Sequence, residues 1–145
     1  MTAPRPDGAQ SARAMRLALE DAGVSTAVVD YINAHGSSTP LNDSTEASAI
    51  ETVFDGRASE VRVSGTKAYY GHPLGASGAI EAAIVLLGLK NDWLPPSLNL
   101  ASPGEGCDLR FVPGGGESFQ AEHALTNSFG FGGINASLVL RRYDS

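Results

Sequence analysis

Two histidines in this chain stand beside glycines just past short apolar runs. His35 follows "YINA" and precedes Gly36, and His72 follows Gly71 in the stretch "SGTKAYYGHPLGASG". Two neutral imidazoles that donate N–H groups toward one point could stabilise an enolate or another oxyanion. A pair of histidines could also bind a metal, but no third ligand stands at a useful spacing and no H-x-x-x-H pattern occurs, so zinc is disfavoured. Taken singly, each histidine is more typical of a loop or a satisfied core position.

One charge lies in an otherwise apolar segment. Glu81 is surrounded by Ala, Ile, Val, Leu and Gly residues in "GASGAIEAAIVLLGL", where an unpaired carboxylate would be costly. Lys67 belongs to the same strand-loop-helix unit and is the predicted partner. The alternative is that Glu81 faces water.

A glycine-rich loop, "GFGG" at Gly130 to Gly133, follows a third polar strand end. It allows a ligand to approach the main chain, so a backbone N–H here could be an oxyanion donor, with Phe129 and Phe131 lining an apolar channel. The alternatives are a tight hairpin with core aromatics and a phosphate cradle. The cradle has little support, because G-x-G-x-x-G and G-x-x-x-x-G-K-[ST] are absent and a strand is predicted after the loop.

The remaining pattern predicts elements that could bring these segments together. Three short strands that each end in one of the polar segments can converge at one edge of an α/β layered sheet. The third helix is apolar nearly all round, which predicts that it is buried. Helices are predicted at about Gly8–Ala22, Asp43–Phe54 and Gly75–Leu89. Asp7 and Gln10 are the predicted capping box of the first helix and Gly23 its end, and Glu46 completes the predicted box of the second. Strands are predicted at Val28–Asn33, Val61–Lys67 and Cys107–Pro113, with two more after Ala124.

Composition narrows the class of protein. The 145 residues suffice for one compact domain, and a net charge of −6 gives no basic footprint for nucleic acid or an anionic membrane. The single cysteine, Cys107, excludes an internal disulfide and is expected to be structural, since no base stands near it. The polar N-terminal segment lacks the apolar stretch of a signal peptide, and the apolar run Ala79–Leu89 is too short to span a bilayer. We expect a soluble cytoplasmic protein.

Three blocks of the chain carry a family resemblance. "YINAHGSSTPLNDSTEASAI", "VSGTKAYYGHPLGASGAIEAAI" and "NSFGFGGINASLVLRR" resemble the C-terminal signature blocks of the β-ketoacyl-ACP synthases of fatty-acid and polyketide synthesis, and "PPSLNL" and "EGCDLRFVP" resemble the segments between them. The resemblance implies half of a thiolase-like α-β-α-β-α layered fold with a mixed sheet. It also implies the decarboxylative condensation of malonyl-ACP with an acyl thioester, with no cofactor beyond the phosphopantetheine of acyl carrier protein.

The resemblance also implies roles for individual residues. His35 and His72 would hold the malonyl thioester and stabilise its enolate, and Lys67 with Glu81 would be the family's ion pair. The backbone N–H of Phe131 would complete an oxyanion hole. The substrate-binding positions would be Ser37 and Thr39 on the phosphopantetheine arm, and Phe129, Phe131 and Gly132 at the acyl pocket. Some members also hold a monovalent cation near residues matching Asn33, Glu81 and Asn135.

The family's nucleophilic cysteine lies in an N-terminal half that has no counterpart in residues 1–145, which are expected to form the C-terminal domain alone. Without a nucleophile the two-step reaction fails. The expected partners are therefore acyl carrier protein and the missing half, in a homodimer or heterodimer. The alternative is a non-catalytic half-subunit, a remnant or a partner similar to a chain-length factor.

Overall fold

A computed structural model describes residues 7–143 and shows a mixed sheet with helices on both faces. The α-helices are α1 (Ala9–Ala22), α2 (Asn42–Phe54) and α3 (Ser77–Asn91); the strands are β1 (Val29–Asn33), β2 (Arg62–Ser64), β3 (Trp93–Leu94), β4 (Arg110–Phe111), β5 (Glu117–Ser118), β6 (His123–Phe129) and β7 (Asn135–Arg141).

The five-stranded sheet has the order β4-β2-β1-β6-β7, and β3 pairs with β5 separately. Neighbours from β4 to β6 are parallel, whereas β7 is antiparallel to β6. Asn33 is level with Ser64 on one side and with Thr126 on the other. Because parallel strands end at the same edge, the loops after β1, β2 and β6 emerge close together. The predicted mixed α/β sheet is confirmed.

An irregularity in β1 changes which side chains share a face of the sheet, so that Val29 and Ile32, three residues apart, lie on the same face. The register with β6 shifts between Val29 and Tyr31, and the carboxylate of Asp30 accepts the backbone N–H groups of Glu122 (2.8 Å) and His123 (3.2 Å). Val29 and Ile32 therefore pack with α1 and α2, while Tyr31 packs with Val85 and Leu89 of α3 on the opposite face.

Helix α3 differs from the prediction of a helix buried all round. It buries one stripe, which contains Glu81 and Val85, whereas Ile80, Leu86 and Leu87 are 37%, 46% and 59% exposed. The segment Leu74–Asn91 also has the length and mean hydropathy (1.3) of a membrane-spanning helix, a test that core helices of soluble proteins pass as well. Its packing against β6 and β7 accounts for it as a sheet-covering helix.

The predicted helix ends are partly correct. Gly23 (φ 66°) ends α1 as expected. At the other end, the Asp7 carboxylate accepts the N–H of Ala9 (3.1 Å), a capping bond as predicted, and the helix begins at Ala9 after Gly8 rather than at Gly8. The strand predicted at Val61–Lys67 is observed as the shorter β2, and the strand predicted at Cys107–Pro113 as the shorter β4. The residues on either side of each strand lie outside the sheet.

Candidate active site

The two predicted histidines meet where the loops after β1 and β2 converge. The ring centroids of His35 and His72 are 5.4 Å apart, with the planes at 76°. Phe129, the last residue of β6, contributes a third ring whose centroid lies 5.9 Å from that of His35. Residues separated by nearly a hundred positions thus form one cluster, as the parallel topology requires.

Glycines allow the first two loops to approach each other. Gly36 has φ 47°, and a Cβ on it would lie 3.4 Å from the Cα of Gly65, which follows β2. The positive φ would strain any other residue at position 36, although its Cβ would be only in ordinary contact with the loop that leads to Lys67 and His72. This explains the glycine directly after His35.

His35 is uncharged near neutral pH. Its side chain is 6% exposed, and its pKa is lowered to about 4, first by burial, then by the charge of Lys67 and by His72. A neutral imidazole carries one N–H and can donate it to an oxyanion. Its Nδ1 is buried and has no hydrogen-bond partner among the described residues.

The depressed pKa of His35 predicts acid sensitivity of the fold. An unfolded histidine titrates near 6.5 and native His35 near 4, so the unfolded state binds more protons between these values and stability falls as pH drops through that window. The loss amounts to about 3 kcal/mol. Urea unfolding at pH 7.5 and at pH 4.5 measures it. The His35→Gln variant, which cannot titrate at this position, should lose about 2 to 3 kcal/mol less between the two pH values; equal losses would contradict the assignment.

Lys67 and Glu81 form the predicted ion pair beneath the histidines. The Lys67 ammonium donates to Oε1 of Glu81 and to the backbone carbonyl of His35. Lys67 is 5% exposed and Glu81 is fully buried. Burial raises the pKa of the Glu81 carboxyl, and Lys67 opposes this shift. The pair therefore ties α3 to the loop that carries His35.

The backbone fixes which nitrogen of His72 carries the proton. The N–H of Leu74 donates to His72 Nδ1 (3.3 Å). Because an amide N–H can only donate, Nδ1 must be the acceptor, and the proton of the neutral ring lies on Nε2. Leu74 has φ 48°, a strained value for a non-glycine residue. The loop holds this conformation while it presents His72 as an Nε2–H donor.

Glu46 is a site residue that the sequence pattern assigned to a different role. It does not close a capping box on α2. Its carboxylate accepts the backbone N–H groups of His35 (2.8 Å) and Gly36 (3.0 Å) and the side-chain amide of Asn127 in β6 (3.1 Å). Glu46 is 3% exposed, and burial raises its pKa while these donors oppose the shift. A buried glutamate near a helix start looks the same as a capping glutamate in sequence, so nothing in the sequence distinguishes them.

Replacing Glu46 by Gln should loosen the His35 loop. Each carboxylate oxygen accepts a backbone N–H, so the NH₂ of glutamine faces a donor in either orientation. Leaving a buried N–H unpaired is expected to cost about 2 to 3 kcal/mol. Urea unfolding gives the loss, and hydrogen exchange should accelerate at the His35 and Gly36 amides. Glu51→Gln, on the exposed side of the same helix, is the matched control; equal effects in the two variants would contradict this role.

The other predicted substrate-binding residues lie in the loop after β1 and in the loop between β6 and β7. The hydroxyls of Ser37 and Thr39 hydrogen-bond each other (3.2 Å), with Ser37 half-buried and Thr39 exposed. Phe131 begins a short 3-10 turn that ends at Gly133, and Gly132 has φ 75° within it. The side chain of Phe131 lies outside the described residues, so its predicted roles stay predictions.

A cavity of about 490 Å³ opens beside His72, between α2 and the segment that follows β3. Ser37, Lys67 and His72 line one part of it, and Cys107 and Phe111 line another. Cys107 is 8% exposed and burial raises the pKa of its thiol. This is consistent with the structural role predicted for it, since the thiolate is the reactive form.

Metal binding has limited support within residues 7–143. No group of three or more His, Cys, Asp or Glu residues in that range is arranged to hold a metal ion. Glu81 Oε2 is buried without a hydrogen-bond partner among the described residues. The family resemblance implies that Glu81 would be a ligand of a monovalent cation, but Lys67 already pairs with this carboxylate, and a hydrogen bond with Tyr70 also affects its pKa. Asn33, the second implied ligand, already uses its side chain in bonds with Thr66 and Thr126.

Comparison with solved structures places the fold. One similar chain belongs to a solved complex of a type II polyketide synthase acyl-carrier protein with its ketosynthase bound to the hexaketide. It is 38% identical, with a TM-score of 0.94 over 99% of this chain and 35% of that one. A β-ketoacyl synthase from Burkholderia phymatum is 41% identical, with a TM-score of 0.89 over 96% of this chain and 34% of that one. The fold and the histidine pair thus define a thiolase-like ketosynthase domain.

Comparison with characterised proteins gives the family. Residues 1–101 match the family described as beta-ketoacyl synthase, C-terminal domain. The 3-oxoacyl-[acyl-carrier-protein] synthase 2 proteins of Synechocystis sp. and Staphylococcus aureus are 46% and 41% identical over 99% and 100% of this chain. The chain belongs to the beta-ketoacyl synthase family. It spans about a third of these relatives, 34% and 35% of their lengths.

Proposed function

We propose that this chain supplies the malonyl-decarboxylating part of a β-ketoacyl-ACP synthase site. The observation that carries the proposal is the pair of rings 5.4 Å apart, with His35 uncharged and His72 held as an Nε2–H donor. Two such donors can bind one thioester oxygen. They stabilise the negative charge that develops there far more effectively in a dry site than in water.

The reaction divides between this chain and a cysteine from the other part of the enzyme. The acyl group is first transferred to that cysteine. In malonyl-ACP, the bond between C2 and the free carboxylate breaks, CO₂ leaves, and the electron pair forms an enolate whose oxygen accepts the two histidine N–H groups. C2 then attacks the acyl thioester, whose oxygen accepts the Phe131 N–H, and the cysteine thiolate leaves.

Binding of the substrate carrier is part of the same proposal. The acyl carrier protein presents its substrate on a phosphopantetheine arm, and Ser37 and Thr39 are the hydroxyls that touch it. Support comes from Ser37, which lines the cavity, and from the hydrogen bond between the Ser37 and Thr39 hydroxyls. A solved relative was obtained in complex with its acyl-carrier protein. A cytoplasmic setting and a dimer completed by the missing half belong to the proposal as well.

The exposed apolar face of α3, formed by Ile80, Leu86 and Leu87, supports the expectation of a partner half. An exposed patch of this kind marks an interaction surface. The chain covers about a third of its relatives, so the remaining two-thirds of such an enzyme is available to cover it.

A chimera tests the proposed function. In the Synechocystis relative, the matching C-terminal third is replaced by this chain, and release of CO₂ from malonyl-ACP and formation of 3-oxoacyl-ACP are measured. Both activities are expected. In a control, alanine replaces the relative's nucleophilic cysteine, which should abolish condensation while decarboxylation continues. A folded, dimeric chimera that releases no CO₂ would reject the proposal.

The second candidate is a non-catalytic partner, since solved relatives include ketosynthases paired with chain length factors. The retained pair of histidines and the Lys67–Glu81 pair argue against it, because a scaffold does not need them. A chimera that assembles but depends on a second, complete ketosynthase for all activity would favour this candidate.

A further inference from the structure

Ser77 makes a contact with His72 that the proposed mechanism does not use. Ser77 is the first residue of α3 and is 3% exposed. Its Oγ lies 3.1 Å from Nδ1 of His72. A serine at a helix start commonly caps the helix, but the N-cap residue of α3 is Ala76, and the side-chain hydrogen bond that Ser77 makes is the one to His72. The hydroxyl is therefore available to the imidazole.

The direction of this hydrogen bond follows from the chemistry of the acceptor. Nδ1 of His72 already accepts the Leu74 N–H at 3.3 Å, so it carries a lone pair and no proton. A serine hydroxyl can donate or accept, and facing this lone pair it must donate. Ser77 is the nearer of the two donors, and it belongs to a packed helix, whereas Leu74 belongs to an exposed turn.

We propose that Ser77 is a positioning residue for His72, whose hydroxyl keeps Nδ1 unprotonated and the ring proton on Nε2. The part of this inference that concerns the reaction rests on the proposed function, since the Nε2–H is the donor to the malonyl thioester oxygen. His72 itself is exposed, unlike His35. Its orientation therefore depends on these two anchors more than on surrounding packing.

Nitrogen NMR of the imidazoles tests the inference on the chain alone. The chain has three histidines, and the ¹⁵N shifts of each distinguish Nδ1–H from Nε2–H. In Ser77→Ala the ratio of Nδ1–H to Nε2–H at His72 should rise about threefold to tenfold, the change expected from losing one hydrogen bond. Ser77→Cys, which keeps a weak donor of similar size, should give an intermediate ratio. If Ser77→Ala folds poorly, Ser77→Cys still tests the same contact.

Ser11→Ala is the matched control, because Ser11 is also buried in the first turn of a helix, α1. It should leave the His72 ratio unchanged. Equal ratios in the parent chain and both Ser77 variants would overturn the inference, and so would a Ser11→Ala variant that shifts His72 as much as Ser77→Ala.

Kinetics in the chimera connect the contact to the reaction. Ser77→Ala should lower kcat for malonyl decarboxylation about threefold to tenfold with little change in KM, because the donor it orients acts on developing charge. A tautomer shift with an unchanged kcat would overturn the link to catalysis. Inactivity of the parent chimera would reject the proposed function and leave the NMR result on Ser77 standing.

Discussion

Replacing His72 by alanine in the chimeric synthase should lower malonyl decarboxylation about 10²- to 10³-fold, the loss expected when one oxyanion donor is removed. His35→Ala should have a comparable effect on decarboxylation. The rings are 5.4 Å apart, and under the proposed function both donate to one oxygen. The double variant should therefore cost little more than either single variant, since residues acting as a unit are not additive. The measurement is release of labelled CO₂ from malonyl-ACP.

Loading of the acyl group provides the internal control for this prediction. Loading occurs at the cysteine and needs no enolate. The rate of acylation, followed by the mass increase of the chimera, should therefore be nearly the same in His72→Ala as in the parent chimera. His123→Ala, at the start of β6 and at the opposite end of that strand from Phe129, should leave both steps unchanged. Normal CO₂ release in His72→Ala, or a joint loss of loading and decarboxylation, would reject the assigned role.

The parts of the fold that follow from periodicity were predictable. Ala47, Ile50 and Phe54 recur at the three- and four-residue spacing of one helix face, which predicts that they point inward from α2, and all three are buried. The exposed face of α3 was not predictable in this way. The composition of an apolar helix predicts that the helix is buried, but it does not say which protein surface covers it. In this chain, the buried side of α3 is the stripe that contains Glu81 and Val85.

The site was predictable to the extent that chain topology determines it. Polar residues after parallel strands must meet at one edge, which is why His35 and His72 could be paired from sequence, and an isolated carboxylate among apolar residues required a partner such as Lys67. The contacts of Glu46 and Ser77 depend on distances between loops. A three-residue spacing is equally consistent with a capping box, so the role of Glu46 in holding the His35 backbone needed coordinates.

The Lys67–Glu81 pair gives the largest expected effect on stability. Lys67→Met leaves a fully buried carboxylate without its cation, a change that typically costs about 3 to 5 kcal/mol. The cost of the substitution should also depend on pH. Burial already raises the pKa of Glu81 against the attraction of Lys67, so without the lysine the native state binds a proton still more readily. The variant should therefore lose less stability than the parent as pH falls from 8 to 5, and the difference between the two proteins should narrow.

A double variant separates the charge from the packing. Lys67→Met with Glu81→Met replaces both charges by apolar side chains and removes the unpaired carboxylate, so it should recover about 2 kcal/mol or more of the single-variant loss. Recovery stays incomplete, because the His35 carbonyl loses the donor that Lys67 gave it. Urea unfolding at pH 8 and pH 5, with unchanged m values, measures all three proteins. A double variant no more stable than Lys67→Met at pH 8 would show that the carboxylate is not the source of the cost, and that Lys67 stabilises the fold mainly through the loop that holds His35.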